Sequence, residues 1–167
     1  MEEKRNFDLL TLGQVLLRLS PPNNDRLVRG DTFVKQVGGA ELNVAVGVAL
    51  LGLRTGVISK LPSHDMGSFM KGKIRSYGVS DYFFMYDDSP SARVGIYYYE
   101  NGAYPRKPKV IYDRANSSFY SLKIDEIPEK AYTASRCFHT SGITLALSPK
   151  VRETAIEMIK RFKAAGT

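Results

Sequence analysis

The sequence predicts an α/β fold: a parallel sheet covered by helices, with a second, smaller β-sheet set into it. Two observations carry this. Strand-like and helix-like patterns alternate from Phe7 to Tyr77, as they do where helices cross over between parallel strands. Consecutive strand candidates then break that rhythm between Tyr82 and Arg114, which points to a separate sheet.

Phe7 to Leu12 reads as a buried strand closed by Gly13, and Gln14 to Leu19 as a second extended run ended by Ser20-Pro21-Pro22. Thr32 to Val37 alternates apolar and polar residues, as a half-exposed strand does. It delivers the chain to Gly38-Gly39. From Glu41 to Leu51 the pattern is helical, with Leu42, Ala45, Val46, Ala49 and Leu50 on one face and Gly52 at the left-handed C-terminal cap. Thr55 to Leu61 is a core strand, followed by a helix from Met66 to Tyr77 that Asp65 caps and Gly78 ends. The strand candidates 82–86, 92–100 and 109–114 come next, joined by turn-rich stretches that include Asn101-Gly102. With 15–19 and 32–37 they form the small sheet, a natural lid or interface. Arg136 to Gly142 returns to core-strand character, and Ser148-Pro149 opens the last helix with an N-cap and a proline at its first position.

A length of 167 residues fits one domain, or one with a small appendage, and a hydrophobic fraction of 43% supplies its core. The net charge of +7 is scattered, its densest groups being 106–109 and 160–163. The second of these sits on a helix C-terminus, where cations suit the dipole. This distribution argues against nucleic acid and is equally compatible with a small anionic substrate. The lone Cys137 permits no intrachain disulfide and reads as a buried structural thiol in a reducing cytoplasm. Neither a signal region nor an apolar run of the ~18 residues that span a bilayer occurs, so a cytoplasmic protein without membrane partners is expected. No Gly-x-Gly-x-x-Gly follows the first strand, which excludes a dinucleotide-binding oxidoreductase.

The motif of greatest chemical content is Gly38-Gly39-Ala40-Glu41-Leu42-Asn43-Val44-Ala45. Two glycines at a strand-to-helix junction bare the backbone, and the first amides of the helix lack intrahelical partners. Such a turn holds either an anion or a hydroxyl-rich group, or is simply a tight turn.

Together with Leu51-Gly52-Leu53-Arg54-Thr55-Gly56, Tyr112-Asp113-Arg114-Ala115-Asn116-Ser117 and the stretch from Ser141 to Pro149, this motif resembles the ribokinase-like (PfkB) carbohydrate kinases, and within them the 2-keto-3-deoxygluconate kinases. The resemblance runs in family order along essentially the whole chain. It implies a doubly wound, Rossmann-like α/β sheet with a small β-sheet lid, the family's C-terminal half being absent. The core then comprises 1–13, 38–91 and 115–167, and the lid 14–37 and 92–114. It also implies transfer of the ATP γ-phosphate to a hydroxyl of 2-keto-3-deoxygluconate or a related sugar acid. By the matching motifs, Gly38, Gly39 and Asn43 hold sugar hydroxyls, while Tyr97, Tyr112 and Arg114 meet the acyclic or carboxylate end. The chemistry agrees, since arginine pairs bidentately with a carboxylate and a phenol donates to it. Period-2 geometry puts Tyr97 and Tyr99 on one face of their strand and Tyr98 on the other.

Some residues depart from the family pattern. Gln14 stands where relatives commonly carry an acid, so a charged acceptor for hydroxyls is lost there; Pro62 and His64 replace a glycine and an acid before the second helix. His64 reads as a loop histidine and His139 as a core-strand residue. The family's Gly-Ala-Gly-Asp motif with its general base does not occur, so no catalytic residue and no metal ligand is assigned in this sequence. The ATP and Mg2+ sites are expected in the missing half. The chain alone is therefore expected to be inactive, with a homodimer formed through the lid. The alternative is a non-catalytic module that binds a sugar acid or mediates dimerisation.

Overall fold

The structure, a computed structural model, describes residues 5–167. Its larger sheet is built from β1 (Phe7–Leu12), β4 (Thr55–Pro62), β5 (Val79–Ser80), β6 (Phe84–Asp87) and β9 (Ser135–His139), all paired in parallel. The order is β5-β4-β1-β9, with β6 continuing the β5 edge by pairing with the far end of β4. The strand candidate 82–86, expected in the small sheet, therefore belongs to the large one, because its backbone pairs in parallel with Ser59–Pro62. The smaller sheet has the order β3-β2-β7-β8, from β2 (Leu16–Ser20), β3 (Val34–Gly38), β7 (Gly95–Glu100) and β8 (Lys109–Asp113). Only its central β2–β7 pair is parallel.

Parallel strands need crossovers, and here these are α1 (Ala40–Leu50) and α2 (Asp65–Ser76). Both cover one face of the large sheet, where Leu42, Ala45, Met70 and Ile74 pack with Val57 and Leu61. The same cluster takes in Val15, Leu17, Val37 and Val94, so the small sheet is welded to the large one through a shared apolar layer. The opposite face carries Leu10, Leu12 and Ile58 and is covered by the short α3 (Lys130–Thr133) and by α5 (Pro149–Ala164). From α5 come Val151, Ala155, Met158 and Phe162, spaced to lie on one helical stripe. Phe162 stacks on Phe138 at 4.0 Å between centroids and meets Tyr132 edge-on at 5.2 Å. Full burial of each large side chain in this stripe contributes roughly 1.5–3 kcal/mol.

Helix ends follow the sequence signals in most places. Ser148 accepts a bond from the Val151 amide at the start of α5, and Gly52, Gly78 and Gly166 take positive φ just past α1, α2 and α5. At α2 the cap is His64 rather than Asp65. The imidazole Nδ1 accepts from the Met66 amide at 3.2 Å, leaving Asp65 in the first turn, where its charge suits the dipole. Two expectations about burial are corrected. Leu50 is 80% exposed, because at 100° per residue it lies about 80° round the helix from Leu42, beyond the edge of the contact stripe. Cys137 is exposed as well: β9 is an edge strand, and α1 packs over β1 and β4 instead.

Candidate functional site

The small sheet meets the start of α1 across a cavity of about 260 Å³. Register explains which side chains reach it. Arg18 pairs with Tyr97 and Tyr97 with Tyr112, so these three share one face of the sheet. Two residues along on the same strands, Leu16, Tyr99 and Val110 extend that face, and Arg114 follows at the end of β8. Tyr98 points the other way and packs edge-on to Phe33, with centroids 6.0 Å apart, as strand alternation demands. The facing wall is Gly39, Ala40, Glu41 and Asn43 of the turn and first helical turn, with Ile143 of the short α4 (Gly142–Leu145).

Of the residues singled out in the sequence, Gly39, Asn43, Tyr97, Tyr112 and Arg114 all line this cavity. Gly38 lies just behind it, buried, and a Cβ there would come within 2.8 Å of the Tyr97 hydroxyl. Its bare backbone thus lets the phenol reach the turn. Gly39 is the N-cap of α1 at φ 151° and ψ 144°, so the helix opens with no side-chain acceptor over its free amides. Asn43 is exposed to the cavity, one turn into the helix.

Three further residues shape the site. Arg18 sits with its guanidinium 4.2 Å from the centre of the Tyr99 ring, and its Nε donates to Ser20 at 2.9 Å. A single arginine in the apolar run Val15-Leu16-Leu17-Arg18-Leu19 was the available signal, and only pairing with β7 aims it at Tyr97. Glu41 is buried, its Oε1 accepting from the Ser141 amide at 3.1 Å, the Ser141 hydroxyl and the Thr144 hydroxyl at 2.7 Å. Its carboxylate fits because Gly13, opposite, has no side chain. The carboxylate therefore ties α1 to the loop after β9 and forms the cavity floor. Gln14 faces no hydroxyl-binding space at all: only 3% exposed, it is engaged with Arg114 and Ser117, so its amide is not a weakened substitute acceptor.

The electrostatic sense of the cavity is positive. Among the described residues, neither Arg18 nor Arg114 makes an ion pair. Burial pushes the Tyr97 phenol up, the Arg18 charge opposing and Tyr112 reinforcing the shift, so Tyr97 stays a neutral donor. Two cations, two phenols, helix-start amides and a bare glycine turn can bind a small polar molecule with an anionic end. No cluster of three His, Cys, Asp or Glu side chains is found among the described residues, and none of these cavity residues is a free carboxylate that could serve as a base.

The chain matches the pfkB family of carbohydrate kinases over residues 6–167. It belongs to that family. It is similar to 2-dehydro-3-deoxygalactonokinase of Haloferax volcanii, 39% identical over 96% of this chain and 49% of the relative. It is also similar to 5-dehydro-2-deoxygluconokinase of Shouchella clausii, 30% identical over 99% of this chain and 50% of the relative. Among solved structures, the 2-dehydro-3-deoxygluconokinase of Thermotoga maritima superposes with a TM-score of 0.90 at 35% identity, covering 96% of this chain and 49% of that one. The chain spans about half the length of the relatives it matches. The ribokinase-like α/β fold predicted from the sequence is thus the fold that this PfkB chain adopts.

Proposed function

We propose that this chain forms the sugar-binding side of an ATP-dependent kinase for 2-keto-3-deoxygluconate or a related keto-deoxy sugar acid. One observation carries the reading: Arg114 and Arg18, both without a carboxylate partner among the described residues, face the Gly38-Gly39 turn across a cavity lined with Tyr97 and Tyr112. In this reading the turn and Asn43 take hydroxyls, and Arg114 with Tyr112 takes the carboxylate. The relatives' names, all kinases of keto-deoxy sugars or sugar acids, support the substrate class. The small sheet, within residues 14–37 and 92–114, acts as the lid that closes one side of the cavity. ATP and Mg2+ are assigned to the part of the relatives' length that this chain does not span.

Calorimetric titration of the 167-residue chain with 2-keto-3-deoxygluconate tests the reading. Charge-assisted bonds of this kind are worth about 1.5–3 kcal/mol, so Arg114→Ala should weaken binding about 10- to 150-fold. Equal affinity in the variant, or no binding by the parent chain, overturns it. In a protein that also includes the remaining half of the relatives' length, sugar binding indifferent to added ATP favours the rival reading, a non-catalytic sugar-acid-binding module. We also place a homodimer contact on the lid, whose edge strands leave Val34, Val110 and Ile111 exposed.

A further inference from the structure

Among the described residues, the side chain that hydrogen-bonds the Arg114 guanidinium comes from the loop after β1, a hundred residues earlier in the chain, while the Tyr112 ring lies 5.5 Å from the same group. Gln14 Oε1 accepts from Arg114 Nε at 2.7 Å, while Gln14 Nε2 donates to the Arg114 carbonyl at 3.1 Å and to Ser117 Oγ at 2.6 Å. The amide orientation is dictated by its partners: a guanidinium Nε only donates and a carbonyl only accepts, so oxygen and nitrogen cannot be exchanged. We infer that Gln14 is a positioning residue, locking the Arg114 guanidinium by its Nε edge while leaving its full charge for an anionic group of the ligand.

Both halves of that statement rest on geometry. Gln14 is buried, and its own backbone is pinned on each side. The Gly13 carbonyl accepts from Ser59 Oγ at 2.8 Å, and the Gln14 carbonyl lies against Gly39. Gly95 makes the approach possible, since a Cβ there would stand 2.8 Å from Gln14 Nε2. The clamp is thus assembled from three segments that meet only in the folded chain. A neutral amide orients an arginine without cancelling it, whereas a carboxylate at the same place would form an ion pair. The adjacent acid, Asp113, is engaged elsewhere, 2.7 Å from Arg93. Neither Nη of Arg114 has a hydrogen-bond partner among the described residues, and Arg114 lines the cavity. The two Nη groups therefore form the free fork that a planar carboxylate matches.

The ligand consequence rests on the sugar-acid reading above; the clamp itself does not. The test uses the 167-residue chain labelled with 15N-arginine, with Gln14→Ala and with Gln14→Glu, which keeps the acceptor for Arg114 Nε but gives up the bond to the Arg114 carbonyl. The Arg114 Nε–H signal is identified by its loss in Arg114→Lys. Hydrogen exchange at that Nε–H should be protected in the parent and in Gln14→Glu, and unprotected in Gln14→Ala. Titration with 2-keto-3-deoxygluconate should show about tenfold weaker binding in Gln14→Glu, with less than about a twofold change for fructose, a neutral ketose. Parent exchange as fast as in Gln14→Ala overturns the clamp. Unchanged sugar-acid affinity in Gln14→Glu overturns the role of the uncancelled charge. A protected Nε–H in a parent chain that binds no sugar acid leaves the clamp standing and removes the substrate reading instead.

Discussion

Adding one methyl group at Gly39 probes the turn on which the whole site is hung. At φ 151° and ψ 144° the backbone occupies a region that is nearly glycine-only, and holding alanine there costs roughly 1–3 kcal/mol. The methyl would also stand 2.6 Å from the Gln14 carbonyl oxygen, backbone that no rotamer change can clear. Overpacking of this kind costs a further 1–3 kcal/mol or so. The sum, about 2–6 kcal/mol, corresponds to a melting temperature lowered by about 4–24 °C in a chain of this size. Gly52→Ala is the matched control. Its φ is 85°, yet nothing lies within 4 Å of the added Cβ, so it carries only the conformational cost of about 1–2 kcal/mol. Thermal melts followed by far-ultraviolet circular dichroism, with urea midpoints as a cross-check, separate the two contributions. A Gly39→Ala protein that melts no lower than Gly52→Ala would refute the close approach of the turn to Gln14, and with it the packing of the site.

The remaining predictions concern the lid and its tyrosine. If the exposed β8 edge forms the homodimer contact, sedimentation equilibrium should find the parent chain as a dimer and Ile111→Glu as a monomer, Ile111 being 45% exposed and therefore replaceable without loss of the core. A monomeric parent rules the contact out. Burial raises the Tyr97 pKa above its ordinary 10.0, so the folded state holds that proton longer than the unfolded chain does. The Tyr97 contribution to stability is then complete below pH 10.0 and is lost as pH rises from there through the folded-state value. Urea midpoints should show a constant difference between parent and Tyr97→Phe up to about pH 9, the parent then losing stability relative to the variant above pH 10. A difference that stays constant at high pH contradicts the burial of the phenol.

Elements whose signals are local could be read directly from the residues. Ser148-Pro149 announces α5 because an N-cap hydroxyl and a proline at the first position both act within one turn. The alternation in 95–100 sorts Tyr97 and Tyr99 from Tyr98 because a strand has only two faces. Where a neighbour decides the outcome, the local signal misleads. Cys137 has the surroundings of a buried thiol but lies on an edge strand, and Leu50 belongs to the apolar run of α1 but not to its contact stripe. Gln14 was legible only as a missing acid, since nothing near it in sequence reveals a partner at Arg114.

The amino-acid order by itself determined the alternating α/β architecture and the position of the Gly38-Gly39 turn, which depend on periodicity and backbone freedom, both properties of short stretches. Its resemblance to a family, rather than any local pattern, singled out Asn43, Tyr97, Tyr112 and Arg114. Tertiary structure alone decided that Arg18 joins the cavity, that Glu41 forms its floor, and that Gln14 holds Arg114 in place without cancelling its charge. Each of those depends on the register between strands far apart in the chain, which no local pattern encodes.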